Sequence, residues 1–343
     1  MTADFTWRDA GRTVVFPRGG VAAAVEVLRE QGVGEFELLS TERALADADS
    51  LRESANRVHL VAQGQVPAAA AALTSTLAPP SHAEEGVRVC SLVALGGGRV
   101  VDVAKAVAAV AGAEVIAIPT TLSGAEMTGI HRLPEGAEDR VRGMVRPSLV
   151  IADPDAMTGQ PEDQLRASAM NALAHGADTL YLPGSNPVSE MTALRGAELI
   201  SGALDEERDG RDRASLALGS ILCGYAIDSA GLGLHHLICQ TLVRVCGTPH
   251  AETNAAILPP ALEFLAERAP EPYERLAGAL GTERDRLAER VTELGRPQRL
   301  GEIGGDESKL DEAIEAMLKR PEVGRVPGSV SAEDLARLVR EAW

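Results

Sequence analysis

The segment from Cys90 to Lys105, CSLVALGGGRVVDVAK, constrains the fold of this chain more than any other. An apolar run, Val89 to Leu95, reads as a buried strand. Gly96, Gly97 and Gly98 follow, and then VVDVAKAVAAVAG puts small and apolar residues at helical spacing. Strand, glycine turn and helix in that order make a corner able to cradle a phosphate. Glycine lets the backbone approach an anion with no Cβ in the way, and the helix N-terminus offers N–H groups at the positive end of its dipole. For three glycines taken alone, a tight turn with no ligand is the plainer reading.

The rhythm around that corner sets the fold class. GRTVVF (11–16), EFELLS (35–40), RVHLVAQ (57–63), Val89–Leu95, EVIAIPTT (114–121) and SLVIADP (148–154) read as strands. Helical patterns lie between them at Val21–Gln31, after Thr41 and at Pro67–Leu77, and APPSHAEEG (78–86) reads as a loop or a loose helix end. Strands alternating with helices imply a parallel sheet covered on both faces. From Gln164 onward the patterns are helical only: 165–182, 188–204, 214–246, 255–269 and shorter helices to the end, the last capped by Ser331. The expectation is an α/β protein with a Rossmann-like parallel-sheet dinucleotide-binding domain over 1–155 and an all-helical substrate domain over 156–343.

Composition narrows the partners. A length of 343 residues suits two domains, and with 45% hydrophobic but 3% aromatic residues the cores must be built from Ala, Val, Leu and Ile. A formal net charge of −17 argues against nucleic acid and against an anionic membrane surface. It leaves room for a small anionic substrate at a locally basic site. No apolar run reaches membrane-spanning length and the N-terminus lacks a signal-peptide core, so a cytoplasmic location is expected. Cys90, Cys223, Cys239 and Cys246 lack CxxC spacing and read as free thiols.

Further along the first half, IPTTLSGAEMT sets Thr120, Thr121 and Ser123 at a strand's carboxyl end, where hydroxyls suit ribose or phosphate oxygens or else cap a turn. Ser40 and Thr41 end the second strand, the usual place of an adenosine ribose in such folds. No carboxylate at that strand end selects a free 2′-hydroxyl, and Arg43 follows closely, so NADPH is admitted as well as NADH. FPRGG at 16–20 is a turn or an approach to the cofactor. In the second half Asn171 and His175 are four apart, hence on one helix face. His235, His236 and His250 come later. Such residues can ligate a metal, or form a polar pocket that offers hydrogen bonds and protons to an oxygen-rich substrate. A metal is disfavoured because position 171 is an amide, which leaves three neutral imidazoles without a compensating charge.

Taken together, GGGRVVDVAK, IPTTLSGAEMT, VIADPDAM, SAMNALAHGADTLYLPGSNPV, GLGLHHLICQTL and TPHAETNAAILP resemble the iron-containing alcohol dehydrogenase superfamily, and within it the maleylacetate reductase branch. The resemblance covers almost the whole chain. It implies NADH- or NADPH-dependent reduction of a small unsaturated keto-diacid, maleylacetate to 3-oxoadipate. Hydride goes to the carbon–carbon double bond and a proton to the neighbouring carbon, without a metal. Gly96, Gly97, Gly98, Asp102, Lys105, Thr120 and Thr121 fall on the family's cofactor motifs. Asn171, His175, His236 and His250 fall on the former metal-ligand positions and would line the substrate site, with His235 beside them. Homodimers are common in the superfamily, so a homodimer is expected.

The chain departs from the family pattern at several points. Arg99 follows the glycines where a small hydroxyl residue is usual, and either grips a phosphate or fills its place. Pro17 replaces a glycine in the F-G-x-G turn, and Gln65-Val66-Pro67 stands for H-T-P. Gln240 replaces a histidine able to donate a proton, and an amide cannot do so at neutral pH. Segment 129–147 is short and carries His131 and arginines, of which Arg132, Arg142 and Arg146 are candidate partners of substrate carboxylates. Pro17, Arg99 and Gln240 motivate a second reading, a non-redox cyclase, dehydratase or isomerase on the same scaffold. A catalytically silent binding protein is a third reading, and the retained histidines speak against it.

Overall fold

Alternate residues of each central strand face opposite layers of helices, and this period of two builds the first unit. The computed structural model describes residues 5–9, 11–77, 90–141 and 143–343. It divides into two units, 1–159 and 160–343. The first holds strands β1 (Phe5–Asp9), β2 (Arg12–Phe16), β3 (Phe36–Ser40), β4 (Arg57–Leu60), β5 (Ser91–Gly96), β6 (Val115–Pro119) and β7 (Leu149–Ile151), in the order β1-β2-β7-β6-β5-β3-β4. Its helices are α1 (Ala24–Glu30), α2 (Glu42–Leu45), α3 (Asp49–Ser54), α4 (Val66–Leu77), α5 (Gly98–Ala111) and α6 (Pro154–Met157). The strands from β2 to β7 pair in parallel, and only β1 runs antiparallel, at the edge beside β2. Sequence reading did not anticipate β1. The expected beginning of the β5 strand at Val89, the stretch 78–86 and Arg142 lie outside the described residues.

On one face Leu39, Leu92, Ala94, Val115 and Ala117 meet the alanine- and valine-rich sides of α4 and α5. On the other, Phe36, Leu38, Val93, Leu95, Ile116, Ile118, Leu149 and Ile151 meet α1 and α3. Small residues on the first face let α5 lie close to the sheet, which brings its N-terminus up to the strand ends. Register aligns those ends: Gly96 faces Pro119 across β5 and β6, and Ser40 faces Leu60 across β3 and β4. The FPRGG turn is fastened to the end of the sheet, because Gly20 N donates to Asp153 Oδ2 at 2.7 Å. Asp153 also caps α6.

The second unit is helical throughout its described residues: α7 (Glu162–Thr179), α8 (Pro187–Asp205), α9 (Arg213–Ala230), α10 (Leu234–Val245), α11 (His250–Arg268), α12 (Pro270–Ala279), α13 (Leu287–Gly295), α14 (Leu310–Leu318) and α15 (Ala332–Ala342). The expected single helix over 214–246 is two. The chain breaks at Gly231–Gly233, where Gly231 takes a φ of 83° that side-chain-bearing residues rarely adopt. Among the described residues no single helix is long and apolar enough to cross a membrane. Almost every residue of α7 is buried, and its start is anchored by Glu162, which accepts from Arg166 at 2.6 Å and from Arg211 at 2.8 and 2.9 Å. Those guanidinium groups hold the Glu162 carboxyl down at about 2.

Helices α8 and α9 meet through glycine. A Cβ on Gly196 would come to 2.8 Å from the Gly219 carbonyl oxygen and 2.6 Å from Cys223 Sγ, whereas Gly202 of the same helix has nothing within 4 Å. Gly196→Ala is therefore expected to force the helices apart and cost about 1–3 kcal/mol. Gly202→Ala should be neutral or stabilise by up to ~1 kcal/mol through helix propensity. Urea unfolding of the two variants measures the difference, and equal stabilities would contradict the close approach.

Candidate active site

In the first unit the parallel strand ends gather the glycine corner and the threonine loop. Thr120 N donates to Gly96 O at 3.0 Å, which sets Thr120 and Thr121 beside Gly97. A Cβ on Gly97 would lie 2.9 Å from Thr121 Cγ2, and one on Gly98 would lie 2.7 Å from Ser123 Oγ. The glycines thus serve a close backbone approach, and a side chain there would fill the cradle. Helix α5 begins at Gly98, and its N-cap residue Gly97 provides no side-chain cap. Thr121 Oγ1 is buried with no hydrogen-bond partner among the described residues. An uncapped helix N-terminus beside an unsatisfied buried hydroxyl fits the pyrophosphate of a dinucleotide.

Several expected cofactor contacts take other parts. Ser40 is fully buried and donates to Leu95 O at 2.8 Å, tying β3 to β5. Thr41 caps α2 by accepting from Ala44 N at 3.3 Å. Lys105 is also fully buried: it pairs with Asp102 at 2.8 Å and donates to the carbonyls of Ala125, Thr128 and Ile130 at 2.9, 3.1 and 2.8 Å. With its ammonium bonded to these groups, Lys105 clamps the loop that follows Ser123. Glu126, fully buried on that loop, has its carboxyl pushed up to about 7 by burial. Arg99 is half-buried, its guanidinium on the Ala62 carbonyl oxygen. Arg132 donates to Gln65 Oε1 at 2.6 Å, and the Arg146 stem packs against Gly129. His131 accepts from Val145 N at 3.0 Å and so braces the short segment.

In the second unit the histidines gather around a residue that the sequence reading passed over, Asp178. It lies on α7 three residues beyond His175 and is fully buried. Its Oδ2 receives His236 Nδ1 at 2.7 Å, Gly233 N at 3.2 Å and His236 N at 3.4 Å. Its Oδ1 accepts from the Tyr181 hydroxyl at 3.1 Å, which itself accepts from Leu234 N at 2.6 Å. Asp178 therefore caps α10 from a neighbouring helix, a negative charge at the positive helix end. Burial raises the Asp178 carboxyl, while the His235 ring and these hydrogen bonds pull it down. Gly233 is required here, since a Cβ would fall 2.1 Å from the Tyr181 hydroxyl and 2.6 Å from Asp178 Oδ1.

With its Nδ1 proton given to Asp178, neutral His236 presents the Nε2 lone pair. Nε2 is buried and has no partner among the described residues. The His175 ring stacks on His236 with centroids 4.5 Å apart, and its Nδ1 is likewise buried without a partner among those residues. His235 stands edge-on to His236 at 4.8 Å and bonds the Asn254 carbonyl at 3.0 Å through Nε2. Burial pushes His235 and His236 down to about 3 and His175 well below its ordinary value. Asn171 is buried one turn before His175. His250 is exposed on the first residue of α11, close enough that its charge opposes protonation of His236. Gln240 accepts from Arg320 at 2.9 Å.

Asp178, His235 and His236 offer ligand atoms within 4.8 Å of one another, so the expectation that a metal is disfavoured loses its ground. That expectation counted neutral donors only and missed the buried carboxylate. Because Asp178 is already bonded four times, it acts as the outer partner that orients a ligating imidazole. His236 Nε2, buried and without a partner among the described residues, is the donor that would meet a divalent cation there, with His235 in the same cluster.

The family pattern described as iron-containing alcohol dehydrogenase matches residues 16–154, and that of the Fe-containing alcohol dehydrogenase family, C-terminal, matches 166–343. The chain belongs to the iron-containing alcohol dehydrogenase family. Among relatives, it is 31% identical to a maleylacetate reductase of Rhizobium sp. (strain MTP-10005) over 327 residues, 92% of each chain. It is 33% identical to one of Burkholderia cepacia over 320 residues, 90% of this chain and 89% of that one. The crystal structure of a maleylacetate reductase from Agrobacterium tumefaciens superposes with a TM-score of 0.81 at 28% identity, covering 100% of this chain and 99% of that chain. As a member of this family the protein is an NAD(P)-dependent, maleylacetate-reductase-like oxidoreductase acting on a small molecule, and the non-redox reading is not favoured.

Asp178→Asn keeps the shape but removes the charge that orients His236. It is expected to lower kcat about 10–100-fold and to cost about 1–2 kcal/mol of stability through the weakened cap, with nucleotide affinity unchanged. Steady-state kinetics, nucleotide titration and a thermal melt check this together, and an unaltered kcat would contradict the assignment.

Proposed function

We propose that this protein reduces the conjugated double bond of a small unsaturated keto-diacid of the maleylacetate type, using NADH or NADPH, as a cytoplasmic homodimer. The observation that carries the reading is the buried His175–His236 pair braced by Asp178, in a chain whose relatives are maleylacetate reductases. The glycine corner, Thr121 and the α5 N-terminus hold the pyrophosphate. Arg99, Thr120, Ser123 and Thr41 lie around the same strand ends.

The nicotinamide, when bound, supplies a hydride. The reduction adds that hydride to one alkene carbon, moves the alkene electron pair toward the keto oxygen as an enolate, and delivers a proton to the other alkene carbon. With Nδ1 bonded to Asp178, His236 turns an acceptor lone pair inward, which suits a cation or a donor group and not a bare keto oxygen. A divalent cation held by His175, His236 and His250, with Asn171 beside them, would polarise the keto oxygen. Asp178 keeps His236 Nε2 turned inward, and the amide of Asn171 adds polarity without charge. His236 cannot be the resting proton donor, since its proton sits on Nδ1 against Asp178. The proton comes from another group or from water.

His236→Ala should lower maleylacetate-dependent oxidation of NAD(P)H by about 100-fold or more while leaving nucleotide binding intact. Assay of purified wild type and variant by absorbance of the reduced nicotinamide tests this. A wild type inert toward maleylacetate and related enone acids, though able to bind NAD(P)H, would overturn the substrate class. Full activity in the variant would overturn the site.

A further inference from the structure

We infer that this protein selects NADPH over NADH, and that Arg99, assisted by Arg132, recognises the 2′-phosphate of the adenosine ribose. The inference deepens the proposed function and rests on its dinucleotide reading. It comes from where sheet order sends the Arg99 side chain. Arg99 is in the first turn of α5, directly after the glycine corner that ends β5. Its guanidinium donates to the carbonyl of Ala62, in the loop between β4 and α4. In the sheet β3 lies between β5 and β4. Neighbouring strands are about 4.8 Å apart, so a side chain that starts at the end of β5 and reaches the loop after β4 passes the end of β3. The register agrees: Ser40 pairs with Leu60 and Val61 N donates to Ser40 O at 2.8 Å, which puts Ala62 two residues beyond the last pairing of β3 and β4.

The carboxyl end of the strand next to the glycine strand is where an adenosine ribose lies in dinucleotide folds of this build. Enzymes that bind the unphosphorylated ribose carry an acidic residue there to accept from the 2′-hydroxyl. Here the strand ends in Ser40, whose hydroxyl is spent on Leu95 O, and Thr41, whose hydroxyl caps α2. The next carboxylate along the chain is Glu42, exposed in the first turn of α2 and followed by Arg43.

A second guanidinium leans on the same β4–α4 loop. Arg132 donates to Gln65 Oε1 at 2.6 Å and is exposed. Its segment is held against the start of α4 by the bond from Glu135 N to Pro67 O at 3.1 Å. Two guanidinium groups bonded to one loop three residues apart bring positive charge to a place that suits a phosphate dianion better than a bare hydroxyl. In a chain of net charge −17 a local pair of cations at this point serves an anion that the rest of the surface would repel.

Fluorescence titration of the wild type, Arg99→Ala and Arg99→Gln with NADPH and with NADH tests the inference. 2′,5′-ADP and 5′-AMP serve as competitors that carry no nicotinamide. The glutamine variant can still donate to Ala62 O, so it separates loss of charge from loss of the loop anchor. The wild type is expected to bind NADPH about tenfold or more tighter than NADH, with 2′,5′-ADP the better competitor. Both variants should lose that preference by weakening NADPH alone. Equal affinity for the two nucleotides, preference for NADH, or equal weakening of both nucleotides in Arg99→Gln would overturn the specificity and leave the dinucleotide reading standing. Binding of neither nucleotide by the folded wild type would overturn both.

Discussion

The second unit depends on one buried charge. Asp178 sits in the most buried helix, has no access to water, and is held by donors from the backbone of α10, from Tyr181 and from His236. A carboxylate can be carried inside a protein only when its oxygens are met in this way. The same bonds that make the charge tolerable fix the angle at which α10 leaves the Gly231–Gly233 break and the face that His236 turns inward. Fold and site are therefore one constraint. The small residues around it, Gly233 above all, exist to let these polar groups approach.

Charge in the histidine cluster follows from burial. Three imidazoles packed together and away from water repel each other's protonated forms, and all three are driven down. They act as neutral groups with lone pairs or N–H bonds in fixed directions. Such a set can hold a cation or polarise a carbonyl oxygen. Burial disfavours its protonated forms. Gln240 stands where a histidine was expected to donate, and it is engaged with Arg320.

Much of the fold was legible because period-two and helical patterns are direct consequences of burial on one or two faces. The glycine corner, the strands from β2 to β7 and the helical second half follow from them. The edge strand β1 was not legible: it is short, carries Thr6, Arg8 and Asp9, and pairs with a single neighbour. The break inside 214–246 was signalled by Gly231 and Gly233, but the apolar pattern on both sides hid it. Asp178 was missed for a related reason. Within HGADTLY an aspartate three residues after a histidine looks like a solvated helix residue, and only the arrival of α10 over it shows that it is enclosed. The protein partners of Lys105 were not legible either. A lysine one turn into the helix after a phosphate corner invites a ligand contact, and only the fold reveals that three carbonyls and Asp102 already occupy it.

Hydride transfer from a nicotinamide to a carbon–carbon double bond is the step on which the proposed function stands. Its most direct test is the fate of deuterium from NADPH labelled at the nicotinamide C4, followed by NMR of the product formed from maleylacetate. The expected product carries deuterium at one former alkene carbon and a proton from solvent at its neighbour, with the keto group intact. Deuterium on a carbinol carbon, or none in the product, would contradict it.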